Sequence, residues 1–98
     1  MLVKIHQAYR YVVAICDSEL LGKKFEEGNA VLDIKENFFN GDEVDSERLV
    51  EIIRDMATED ATFNIMGKDS INTALNCGLI TKKGIKYVQG IPYALVLL

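Results

Sequence analysis

The chain has 98 residues, 49% of them apolar, and a formal net charge of −4. That is material for one domain over residues 1–98, able to bury roughly 60–65% of its unfolded surface. It excludes a second domain and an intrinsically disordered chain. A spanning helix is excluded as well: the longest apolar run, Ile91 to Leu98, is broken by Pro92 and falls well short of the ~20 residues required.

Met1 to His6 alternates apolar with polar and lacks the core of a signal peptide. Cys16 and Cys77 are the only cysteines, far apart in sequence, so neither a disulfide framework nor a zinc pattern is present. A reducing cytoplasm is the expected setting. Charge is uneven. Residues 42–60 hold eight acids and two bases, a net of −6; the rest holds seven acids and nine bases, a net of +2. Strong bulk attraction to nucleic acid is not expected. The acidic block reads as a solvated helix face.

In chain order, Val3 to Ala8 alternates as a strand, and Tyr11 to Cys16 is a β-branched run suited to a buried one. The short Tyr9-Arg10 link predicts a hairpin. Asp17 or Ser18 can cap a helical turn that Gly22 ends. Gly28-Asn29 is a turn, and Ala30 to Lys35 a third strand with Leu32 and Ile34 on one face. Leu49, Ile52, Ile53, Met56 and Ala57 form one stripe of a helix capped by Asp45 or Ser46. Thr62 to Met66 is a strand or a loop. Asp69 or Ser70 caps a second helix with Ile71, Ala74 and Leu75 inward, and Gly78 ends it. Lys82-Lys83-Gly84 turns into Ile85 to Val88. Gly90-Ile91-Pro92 bends the chain into a last apolar strand, Tyr93 to Leu98, expected to be central and buried on both faces. The order predicts an α+β fold: a mostly antiparallel or mixed sheet of about five strands with two helices on one face.

Walker, dinucleotide, metalloprotease and nucleophile-elbow motifs are absent. His6, the only histidine, shares a strand face with Lys4 and Ala8 and points to solvent or a sheet edge. Cys16 stands before a helical turn, where a thiol can become reactive, but a small core filler is the plainer reading. Asp17 and Glu19 on one turn suit acid–base work or a hard cation. Lys23 and Lys24 nearby favour ion pairing instead, and no metal centre is predicted. Gly67-Lys68-Asp69-Ser70 opens a helix and could receive an anion. The bend at Gly90 to Tyr93 suits a rigid turn or a contact surface.

Cys16-Asp17-Ser18-Glu19-Leu20-Leu21-Gly22-Lys23, followed by Phe25-Glu26-Glu27-Gly28, resembles the signature of an archaeal domain-of-unknown-function family, number 424. Asn64-Ile65-Met66-Gly67, then Ser70-Ile71, Ala74 and Gly78-Leu79-Ile80, agree in order, and Gly90-Ile91-Pro92-Tyr93-Ala94 closes the pattern. At Tyr93 the family pattern carries an imidazole as often as a phenol. The resemblance implies an archaeal, cytosolic protein loosely associated with translation genes, and carries over no catalytic residue and no cofactor. It marks three loops as the candidate binding surface: Asp17, Glu19, Gly22 and Lys23; Asn64, Gly67, Lys68 and Ser70; Gly90, Pro92 and Tyr93. A non-enzymatic module binding a protein or ribonucleoprotein partner is the first expectation. A small-molecule or nucleotide/anion-binding protein with its own activity is the second. Pairing of copies through Tyr93 to Leu98 is a third.

Overall fold

A computed structural model describes residues 1–98. Eight strands and three helices follow one another: β1 (Leu2–Gln7), β2 (Tyr11–Cys16), β3 (Lys24–Glu27), β4 (Ala30–Asp33), α1 (Glu36–Phe39), β5 (Asp42–Glu43), α2 (Ser46–Thr58), β6 (Thr62–Met66), α3 (Lys68–Asn76), β7 (Lys86–Val88) and β8 (Ile91–Leu97). Six strands make one mixed sheet in the order β5-β1-β2-β6-β8-β7, and β3 and β4 form a separate hairpin. The fold is the expected α+β class, with one strand more than anticipated in the main sheet and the hairpin in addition.

The β1–β2 hairpin is present, registered from Leu2 opposite Cys16 to Gln7 opposite Tyr11. The next partner of β2 is β6, in parallel, from Val12 opposite Thr62 to Cys16 opposite Met66. Parallel neighbours need a long crossover, here the whole stretch from β3 to α2. The pair β6–β8 returns to antiparallel.

Strand alternation sends side chains to two cores. Val13, Ile15, Phe63, Ile65 and Ala94 meet Leu49, Ile52 and Ile53 of α2 and Ile71 and Ala74 of α3. The two longer helices thus cover one face, as expected. The α2 stripe is the predicted one, and Asp45 is its N-cap, accepting from the Arg48 amide at 2.8 Å. Glu47, Glu51 and Asp55 of that helix are exposed, so this part of the acidic block is a solvated face. On the other face Leu2, Ala14, Cys16 and Val88 pack with Leu20, Leu32, Ile34 and Phe39. The hairpin and α1 supply that cover.

Two elements carry no sequence signal of their own. Only Phe25 is apolar in β3, and α1 is a single turn too short for periodicity. The third strand stops at Asp33, although Ile34 is buried as predicted. The last strand needs correction. Strand β8 pairs with β6 from Tyr93 to Leu97 but with β7 only from Ile91 to Tyr93, and Leu95 and Leu97 are 59% and 72% exposed. The cover on that face reaches only as far as Tyr93, so the second half of the strand is an edge with one face open. His6 stands where β1 has no β5 neighbour, at the sheet edge as expected, but it is partly covered. It lies against Phe38, ring centroids 4.6 Å apart, with Nε2 2.8 Å from the Phe38 carbonyl oxygen.

Candidate functional site

The carboxyl ends of the parallel strands β2 and β6 lie side by side, and two of the three candidate loops leave from there. The Asp17 amide donates to the Met66 carbonyl at 3.0 Å, and the Gly67 amide donates to the Pro92 carbonyl at 2.8 Å. All three loops therefore touch through backbone.

Asp17 is the centre of the junction and is only 3% exposed. Its Oδ1 accepts from the Ser70 amide at 2.8 Å and the Ser70 hydroxyl at 2.7 Å, and its Oδ2 accepts from the Asp69 amide at 3.1 Å. These are first-turn amides of α3, which have no partner within the helix. A carboxylate there also meets the positive end of the helix dipole. The cap of α3 is thus not Asp69 or Ser70, as the local sequence predicts, but a residue more than 50 positions earlier. Gly67, at φ +105°, is what admits it: a Cβ there would stand 2.4 Å from the Asp17 Cγ.

Three consequences revise the sequence reading. Asp17 belongs to the interior, not to an open binding surface. The helix start has its amides taken by the chain's own carboxylate, so it is not an open anion site. Neither Lys23 nor Lys24 pairs with Asp17 or Glu19; Lys24 reaches Glu26 at 3.5 Å. Asp17, Glu19 and Asp69 bring one carboxylate oxygen each within 4.8 Å of one another. Next to them, burial and then the Asp17 charge push the Cys16 thiol up to about 11, which suits a protonated core filler. Ser18 turns outward and donates to both Glu43 oxygens at 2.7 Å. With the Met1 amino group 2.6 Å away, this holds the Glu43 carboxyl below its usual range.

A second feature runs along the flank of α3. Lys68, Ile71, Asn72 and Leu75 face Lys82, Ile85, Tyr87, Gly90 and Pro92 across a groove of ≈ 480 Å³. Its floor is apolar, and Tyr87 is 62% exposed. Lys68 and Lys82 stand on it without an ion-pair partner. A larger cleft of ≈ 570 Å³ between α2 and α3 differs in kind. It is lined by Ser46, Glu47, Glu51, Arg54, Thr73 and Asn76, with Val50 the one apolar group.

The family model described as "Protein of unknown function (DUF424)" matches residues 6–98. The chain belongs to that family. A solved structure titled "Crystal structure of an uncharacterized conserved protein from Methanopyrus kandleri" superposes with a TM-score of 0.85 at 26% identity. The alignment covers 97% of this chain and 88% of that one. No curated protein matches.

In this DUF424 chain the predicted residues divide into groups. Asp17, Gly67 and Ser70 meet at the helix start with Glu19 close by, and Lys68, Gly90 and Pro92 line the groove. Asn64 and Tyr93 belong to the opposite sheet face by alternation, Tyr93 packing with the hairpin-side core. Gly22 and Lys23 turn away into the start of the hairpin, the Gly22 amide donating to the Ile34 carbonyl at 2.8 Å. Sequence reading did not single out Asn72, Lys82 or Tyr87. One signal was available: from Ser70 to Leu98 the chain carries three lysines and no acid.

Proposed function

We propose that this protein is a non-enzymatic binding module, and that its binding surface is the groove between α3 and the β7–β8 hairpin, taking a partner that joins negative charge to an apolar group. The observation that carries this is the pairing of an apolar floor with two unpaired lysines in a chain of net charge −4. Concave sites of this size that combine apolar side chains with a few placed polar groups are a usual form of ligand site, and here four of nine lining residues are hydrophobic. The groups best suited to catalysis are committed elsewhere: Asp17 to three donors, His6 to the Phe38 carbonyl, and Cys16 to the core as a neutral thiol. A ribonucleoprotein in the cytoplasm presents chemistry of the required kind.

The test is an amide chemical-shift titration with 2-naphthalenesulfonate, an anion carrying a flat apolar ring. Shifts should concentrate at Lys68 to Leu75 and Lys82 to Pro92. A Lys68→Glu/Lys82→Glu variant should bind it at least about tenfold more weakly, because both attractive charges become repulsive. Shifts elsewhere, or equal binding by the variant, would defeat the proposal.

A further inference from the structure

The groove offers more than charge and grease. Tyr87 pairs opposite Pro92 in the β7–β8 ladder, so its position is set by backbone pairing, yet its ring remains largely exposed. Alternation along β7 sends Val88 into the hairpin-side core and Tyr87 to the α3 side, above Ile71 and Leu75. Asn72 adds an amide able both to donate and to accept. Lys68 and Lys82 supply the cations.

We propose that the groove takes a nucleoside phosphate unit, its base against the Tyr87 ring, its base edge within reach of Asn72 and its phosphate beside Lys68 and Lys82. This rests on the groove being the binding surface. An acidic peptide would answer the two lysines, but would engage the ring and the amide only where its own sequence supplied suitable groups. A nucleotide uses all of them, since every base has a face to stack and an edge to hydrogen-bond. The acid-rich α2 adds a restriction. A long duplex laid across the molecule would meet residues 42–60, net −6, whereas one or a few single-stranded nucleotides fit within the neutral-to-basic flank. The unit is therefore a free nucleotide or one residue of a single strand.

The experiment is a calorimetric and chemical-shift titration of the full chain. The probes are the four ribonucleoside 5′-monophosphates, adenosine, inorganic phosphate, hexaadenylate and an acetylated acidic hexapeptide. The monophosphates should shift Lys68 to Leu75 and Lys82 to Pro92 and bind more tightly than adenosine or phosphate alone. Tyr87→Ala should weaken them about tenfold, the scale of one lost stacking contact. Tyr87→Phe should restore binding, and Lys82→Gln should weaken the monophosphates but not adenosine. Since Tyr87 and Lys82 are exposed, each variant should keep the native spectrum away from the groove. Tighter binding of hexaadenylate than of the monophosphate identifies a strand as the source; equal binding identifies the free nucleotide. If the acidic peptide or 2-naphthalenesulfonate fills the groove and no nucleotide does, the inference is overturned and the groove reading stands. Phosphate binding as tightly as nucleotide also overturns it. If no anion binds there, both fall.

Discussion

The start of α3 and its flank each offer positive groups, helix amides at one and lysines at the other, and the protein treats them oppositely. At the start, the free amides are covered by Asp17, a buried carboxylate from the far end of the parallel crossover. Along the flank, Lys68 and Lys82 are left without partners over an apolar floor. The first arrangement uses positive potential to hold the fold together; the second leaves it facing solvent. A helix N-terminus that looks ready for a ligand from its own residues is thus a structural joint, while the neighbouring turn and hairpin hold the open surface.

This contrast is broken most directly at Gly67. Gly67→Ala forces a side chain onto Asp17 at a backbone angle that favours glycine. We expect the largest loss of stability here, about 3 kcal/mol or more. Asp17→Ala removes the acceptor of two amides and a hydroxyl and should cost about 2–4 kcal/mol. On a domain of this size either change lowers Tm by roughly 10 °C or more. The double variant should be less destabilised than the sum, because without the carboxylate the clash at Gly67 is gone. Additive losses in a thermal-melt cycle would show that the two residues do not meet. By contrast Lys68→Gln and Lys82→Gln should move stability by no more than about 0.5 kcal/mol; a larger loss would make the flank structural too.

A smaller effect tests the interior side of the joint. With its thiol raised to about 11, Cys16 should resist iodoacetamide at pH 8 in the native state while the half-buried Cys77 reacts first. Peptide mapping that finds Cys16 modified first would mean the Asp17 region opens readily. The smallest effect is at Glu43. Its folded carboxyl is held below the usual range, so its contribution to stability is present above the unfolded carboxyl range and fades as pH falls through the depressed value. Glu43→Gln should flatten that part of the acid limb of a stability–pH curve. An unchanged limb would show that the contacts with Met1 and Ser18 do not persist in solution.

Local signals were enough for α2, where five apolar positions and an acid cap agree, and for the β1–β2 hairpin, where separation alone forces antiparallel pairing. They failed wherever the deciding partner was remote. Nothing near Asp69 reveals that Asp17 will cap it, so local sequence points to Asp69 or Ser70 as the cap and to Asp17 as part of a binding loop. Leu95 and Leu97 look like core until the cover supplied by the hairpin is known to end at Tyr93. The convergence of the candidate loops was legible in part, through Asp17, Gly67 and Pro92. Asn64 and Tyr93 were lost because strand alternation sends them to the other face. Lys82 and Tyr87 were overlooked because a lysine-glycine turn has no pattern until a helix stands opposite it.

The parallel pairing of β2 with β6 has a consequence for the order of assembly. Asp17 and Ser70 are 53 residues apart, and the hairpin, α1, β5 and α2 lie between them, whereas β1–β2 and β6–α3 need only neighbours in sequence. Closing so long a loop carries an entropic cost before any contact across it forms. That closure contributes to the folding barrier, and the side-chain joint at the head of α3 is expected to lock after it. Loss of Asp17 is then expected to quicken unfolding more than it slows refolding, which a chevron plot checks.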